Sequence, residues 1–208
     1  MKVLEIAFRD LNSEIRTCRR CRLVNSRINA LCGEGNLHAE LMLIAQAPGG
    51  NEDREGKMFI GPSGKVLDEL LAEFDIQRAE IYITNLIKCM LPKNRKPKTD
   101  EIAACSPYLE REIDLLGPRI LAPLGYYASR FVLEKYGVQI PAKADFRNVY
   151  GQVLKIGDQE IIPLQHPAAV LHDASIKEAM VTNYRRLRLH YDGLRDKTLA
   201  PMGPDISR

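Results

Sequence analysis

Residues 40–50 read ELMLIAQAPGG. The six residues Glu40–Ala45 form a short apolar run, and Pro48-Gly49-Gly50 breaks it, so the stretch reads as a strand ending in a turn. On both sides of it the same grammar recurs. Ser63–Phe74 has helical spacing with Ser63 as its cap, and Ile81–Ile87 is a second apolar strand. Thr99–Leu116 opens on Thr99-Asp100-Glu101 and closes at Gly117-Pro118, a helix with start and stop signals. Arg119–Leu124 is a third strand and Tyr126–Tyr136 a helix after Gly125. Val149–Ile156 and Glu160–Pro163 flank Gly157-Asp158, an Asp-centred hairpin signal rather than a strict two-residue one. Amphipathic helices are expected at residues 3–17 and 175–191. Strands alternating with helices predict an α/β chain: a three-layer α/β/α domain around a central, mainly parallel, four-stranded sheet. Ligands of such sheets bind beyond the carboxyl ends of the strands. Here those ends are Gln46–Asp53, Asn85–Cys89, Leu124-Gly125 and Gln165–Leu171.

The chain has 208 residues, 45% hydrophobic and 27% charged. That suits one domain with a real core and excludes global disorder. No apolar run approaches the ~18 residues of a membrane span, and the N-terminus lacks a signal-peptide core. A cytoplasmic protein with no membrane partner is expected. The net charge of +3 does not by itself announce a nucleic-acid partner, and five cysteines argue against a disulfide framework.

Cys18 and Cys21 form a C-x2-C pair; Cys89 and Cys105 lie far downstream, and Cys32 stands apart. Two thiolates close together and two distant ones are compatible with zinc or with an iron–sulfur cluster, and the spacing does not choose. Buried apolar thiols are the plain alternative, and a redox C-x2-C is a further one. The basic residues are uneven. Arg16, Arg19, Arg20, Arg22 and Arg27 share a stretch without acids, and so do Lys88, Lys93, Arg95, Lys96 and Lys98. Both stretches carry cysteines. A metal centre that pins two basic loops together accounts for both facts; solvated surface charge is the alternative, preferred for Arg185, Arg186 and Arg188.

Residues 45–64 read AQAPGGNEDREGKMFIGPSG. Pro48-Gly49-Gly50 permits close backbone approach, Glu52 and Asp53 bring carboxylates, Phe59 an aromatic face, and Gly61–Gly64 a helix N-terminus suited to an anion. A long polar surface loop is the bland reading.

Taken together these motifs resemble the family 4 uracil-DNA glycosylases, the iron–sulfur type of thermophilic bacteria and archaea. The resemblance covers roughly residues 15–191. It rests on Gly33-Glu34-Gly35, the block from Pro48 to Gly61, Asn85 with Lys88-Cys89, Asn94-Arg95-Lys96-Pro97, Cys105, Leu124-Gly125 and His166–Leu171. It implies a single glycosylase domain with a C-terminal tail at 192–208. The implied activity flips uracil out of DNA and hydrolyses its N-glycosidic bond, leaving an abasic site and free uracil. Cys18, Cys21, Cys89 and Cys105 would hold a [4Fe–4S] cluster, with Cys32 a bystander. Phe59 would stack on the base beside Ala47, Asn85 would read its Watson–Crick edge, and His166 would donate to O2. Glu52 would line the pocket wall, Leu171 would wedge into the base stack, and Ser63 and Gly49 would contact phosphates. Lys93, Arg95 and Lys96 would follow the DNA backbone. A monomer is expected.

One departure stands out. The family carries a glutamate in G-E-x-P-G, and here the block is Ala45-Gln46-Ala47-Pro48-Gly49. Gln46 has no charge to favour an oxocarbenium ion and cannot act as a base, but its amide can orient water or touch the base. Asp53 or Glu52 could then position the water. Two alternatives follow: a relative that binds uracil or damaged DNA with little or no turnover, and a glycosylase with a shifted range such as hypoxanthine.

Overall fold

A computed structural model describes residues 2–199, with side chains described through Leu194. The chain opens with α1 (Lys2–Thr17), followed by a basic loop and a two-residue strand, β1 (Glu34–Gly35). Then come β2 (Leu41–Ala45), α2 (Gly50–Glu55), α3 (Pro62–Glu73), β3 (Tyr82–Asn85), α4 (Thr99–Leu116), β4 (Ile120–Pro123) and α5 (Tyr126–Lys135). The last elements are β5 (Leu154–Ile156), β6 (Gln159–Ile161), the short α6 (Ala168–His172) and α7 (Lys177–Leu199).

One sheet holds all six strands, in the order β1-β3-β2-β4-β6-β5. Its inner four, β3-β2-β4-β6, are parallel, and β1 and β5 add antiparallel edges. The expected four strands are therefore the parallel core. Edge β1 has two residues, too few for an apolar run to mark; edge β5 is the last three residues of the expected Val149–Ile156 strand. Ile156 pairs with Gln159, so Gly157-Asp158 is a two-residue hairpin loop, tighter than expected.

Strand alternation divides the core. Met42 and Ile44 of β2 face a cluster with Phe8, Leu11 and Ile15 of α1, Leu109 and Ile113 of α4, and Val132 of α5. Leu41, Leu43 and Ala45 face the opposite way, against Leu67 and Leu71 of α3 and Met180, Tyr184 and Leu187 of α7. β2 is buried on both faces, which is why its sequence is continuously apolar rather than alternating. The three-layer α/β/α expectation is met. α7 is longer than the expected final helix and absorbs the first part of the expected 192–208 tail, whose last nine residues lie outside the described residues. No helix among the described residues is long and apolar enough to cross a membrane.

The topology fixes where a site can form. From β2 the chain passes to β3 on one side, then crosses to β4 on the other. Such a reversal opens a crevice at the carboxyl ends of the central strands.

Candidate functional site

A cavity of about 450 Å³ sits at that crevice. It is lined from β2's exit by Gln46, Ala47 and Gly49, from α2 by Glu52, and from β3 by Asn85. Phe59, Ser63, His166 and Leu171 are also among its lining residues. The exits of β2 and β3, the segment after β6 and the stretch around Phe59 thus converge, because parallel strands point their carboxyl ends the same way.

The segment expected as loop contains α2, closed by Gly56 at a φ of 68°. This short helix separates the two acids. Glu52 turns into the cavity, and its Oε1 accepts from the backbone N–H of Ile60 (3.0 Å) and Gly61 (2.7 Å). Asp53 turns away. Its buried carboxylate accepts from the backbone N–H groups of Ile28 (3.1 and 3.0 Å) and Asn29 (3.1 Å). Asp53 is therefore no water-positioning group at the cavity, a correction to its expected catalytic role. Consecutive helical residues point about 100° apart, and nothing in the ED dipeptide says which of the two faces inward.

Phe59 is buried at an unusual φ of 51°. Arg78 holds this turn by donating to the carbonyls of Met58 (2.9 Å) and Phe59 (3.4 Å). Gly64 presses against the Phe59 carbonyl, where any Cβ would collide with it. The Phe59 ring stacks on the His166 imidazole, centroids 5.9 Å apart and 25° from parallel. His166 Nδ1 accepts the backbone N–H of Ala168 at 3.1 Å. The neutral ring's proton is then on Nε2, leaving a donor for a ligand. Desolvation pushes the imidazole pKa down to about 4, against a smaller upward pull from Glu52. Asn85 is buried at the end of β3 with its Nδ2 on the Met58 sulfur at 3.2 Å. Leu171, in α6, is half exposed at the cavity rim.

The basic residues part company. Lys93 and Lys96 are exposed. Lys93 and Asn94 both adopt positive φ, near 54° and 52°, in a tight turn, and Asn94 reaches the cavity. Arg95 instead forms a two-pronged pair with buried Glu101 (2.8 and 2.5 Å), and Glu101 also caps α4 at the Lys98 N–H. Arg95 holds the loop rather than offering a free charge to a phosphate, a correction to its expected role. Lys88 is buried and bonds Glu112 (2.6 Å) and Thr84 (2.7 Å), so it leaves the groove-facing set. Arg185 lies over Phe74, Arg186 donates to the Gly151 carbonyl, and Arg188 pairs with Asp192, as intramolecular surface charge would.

The four cysteines lie on one side of the molecule: Cys89 and Cys105 are buried in the α1/α4 core cluster, and half-buried Cys18 and Cys21 pack against it. An antiparallel bridge joins Ala30 to Cys89. Donors point at the sulfurs: Arg27 Nη1 at Cys89 (3.1 Å), the Lys88 N–H at Cys105 (3.2 Å) and the Arg20 N–H at Cys18 (3.5 Å). Burial pushes the Cys89 thiol up, Arg27 opposes it, and Cys21 and Cys18 add to the rise. Burial pushes Cys105 up to about 12, opposed by the Lys88 amide, with Cys89 and Cys18 adding. Cys89 and Cys105 thus both feel the charge of neighbouring cysteines. Among the described residues no three His, Cys, Asp or Glu converge tightly enough for a single metal ion. Three of these four soft donors are met by N–H groups, the kind of bond that tunes a sulfur-ligated centre where one is held. Cys32 stays apart, its Sγ 3.5 Å from the Asn12 carbonyl.

Comparison with known proteins places this geometry. The family model described as "Uracil DNA glycosylase superfamily" matches residues 32–188. The type-4 uracil-DNA glycosylase of Sulfurisphaera tokodaii is 38% identical over 86% of this chain and 82% of its own length. The chain belongs to the type-4 uracil-DNA glycosylase family. A type-4 uracil-DNA glycosylase from Saccharolobus solfataricus is 39% identical over 84% of this chain and 82% of its own. That of Thermotoga maritima, a bacterium, is 34% identical over 79% and 83%. The matched residues 32–188 contain the whole sheet and the residues that line the cavity. Sequence reasoning missed Arg78 and read Gly64 only as part of an anion-suited helix start; both shape the Phe59 turn in this type-4 chain. Gly64 had a signal, since a glycine in the first turn of a helix is costly unless something lies against it.

Proposed function

We propose that the protein is a monofunctional uracil-DNA glycosylase of base-excision repair. The observation that carries the reading is the meeting of Phe59, Asn85 and His166 around one cavity at the sheet's switch point, in a type-4 chain. The base, flipped from the stack, lies against Phe59. The Asn85 carboxamide donates to O4 and accepts from N3–H, a pattern cytosine mismatches. Water adds at C1′, the N1–C1′ bond breaks, and its electron pair leaves with the base. The neutral Nε2–H of His166 then meets the charge developing on O2, where a fixed donor in a dry site acts most strongly. The added water gives up one proton as its oxygen bonds C1′, and the departing base takes up one proton through solvent and leaves as uracil, so the step balances.

Glu52 supplies the carboxylate at the cavity, with Oε1 already holding two amides. Its negative charge faces the sugar, and Gln46 orients the water through its amide. Leu171 fills the space that the base leaves, and Gly49 and Ser63 meet the phosphates. Lys93 and Lys96 track the strand. Cys18, Cys21, Cys89 and Cys105 hold a [4Fe–4S] cluster, which would tie the two basic loops together. Supporting this are the donor set and its N–H partners. The protein is read as a cytoplasmic monomer.

The uncharged Gln46 and the diverted Asp53 also favour a second reading, a uracil binder with slow turnover. Excision from a single-uracil duplex, with hypoxanthine and thymine substrates alongside, decides between them. Release of uracil with an alkali-labile abasic site is expected. Tight uracil-DNA binding without release under single-turnover conditions would select the binder.

A further inference from the structure

Asp53 is a buried carboxylate that the excision chemistry leaves unused. It joins two parts of the molecule that the chain keeps apart. On one side lies the segment after the C-x2-C pair. Arg27 there touches the Cys89 sulfur (3.1 Å) and the Cys18 carbonyl (2.6 Å). Its next two residues, Ile28 and Asn29, give their backbone N–H groups to Asp53. The Asn29 side chain returns the link, donating to the carbonyls of Asp53 (2.7 Å) and Arg54 (3.2 Å). On the other side lies α2 itself, in which Glu52, the residue before Asp53, holds the amides of Ile60 and Gly61 next to Phe59.

We propose that Asp53 is a positioning residue: it ties the cysteine-bearing segment to α2 and thereby sets, through Glu52, the wall on which the base stacks. Two N–H groups gripping one carboxylate fix both the depth and the rotation of a six-residue helix that has no side-chain cap of its own. Glu52 adjoins Asp53, so a rotation of α2 moves its carboxylate and the two amides it carries. The strained φ of Phe59 persists only because its surroundings hold it, and the Ile60 and Gly61 amides on Glu52 are part of that hold beside Arg78. The cysteine side of the molecule is by this route a mechanical support of the pocket.

The proposal rests on the uracil-excision reading, and the test separates the two. Asp53→Asn keeps the size but sets an NH2 group against a backbone N–H. Single-turnover excision by Asp53→Asn is expected to fall about 10- to 100-fold, as for misplacement by about an ångström. KM, cysteine-side visible absorption and far-UV circular dichroism are expected to stay near wild type. Asn29→Ala, which leaves the carboxylate bonds intact, should fall in the same direction by about 3-fold and serves if Asp53→Asn does not fold. In a Glu52→Ala background, Asp53→Asn should have no further effect, because the route runs through Glu52. Wild-type excision rates in Asp53→Asn, or an equal loss with and without Glu52, would overturn the tether. A wild-type protein that binds but never releases uracil would overturn the excision reading instead.

Discussion

The imidazole of His166 is kept neutral by desolvation, which moves its pKa from 6.5 down to about 4. The catalytic donor is then a neutral Nε2–H, so the acid limb of kcat/KM due to this group should lie near pH 4, not 6.5. A pH profile on single-uracil DNA checks this, and an acid limb at 6.5 that vanishes in His166→Gln would contradict it. The same shift acts on stability. Between those pH values the unfolded chain binds a proton that the folded chain refuses. The contribution is thus present above pH 6.5 and is lost as pH falls towards 4. Replacing His166 by Ala should lower kcat about 100- to 1,000-fold, the usual cost of one donor to a developing anion. Asn85 was legible as a site residue from its place at a strand end. The inward turn of Glu52 and outward turn of Asp53 were not, since helix phase inside so short a helix depends on what it docks against.

Among the elements, the segment between Pro92 and Lys98 divides its labour. Arg95 and Glu101 clamp it to the start of α4, and Lys93 and Lys96 project from it. Removing both lysines should weaken DNA binding and flatten its dependence on salt, by about 0.9 in the log–log slope for each phosphate no longer neutralised. Arg95→Ala should instead unsettle the loop with a smaller change of slope. Titrating binding against salt for both variants distinguishes the roles; equal slopes would refute the division. The α3 start carries a sharper constraint. Gly64→Ala must push its Cβ into the Phe59 carbonyl, so the Phe59 turn should shift and excision should fall steeply while the sheet persists. Both basic stretches were visible as charge runs. Which charges were free was not, because buried Glu101 and Glu112 lie far along the chain from some of the cations they neutralise.

For the whole molecule, the buried Lys88–Glu112 pair lies between β3 and α4 and ties the strand that ends in Asn85 to the helix that carries Cys105. Breaking it with Glu112→Ala leaves a buried ammonium ion unpaired and should cost about 3–5 kcal/mol of stability, read from denaturant midpoints. Residue patterns along the chain mark the longer strands, the long helices and the three layers, and its motifs mark the family. Those rest on local periodicity and on motifs whose residues lie close together. The sequence also marked the four cysteines and the pocket residues as candidates. Folding was needed to show that Asp53 faces away from the cavity, that Arg95 and Lys88 are neutralised internally, and that the two-residue β1 closes one edge of the sheet. A carboxylate's role depends on which donors surround it once burial has stripped its water, and those donors come from segments that only folding brings together.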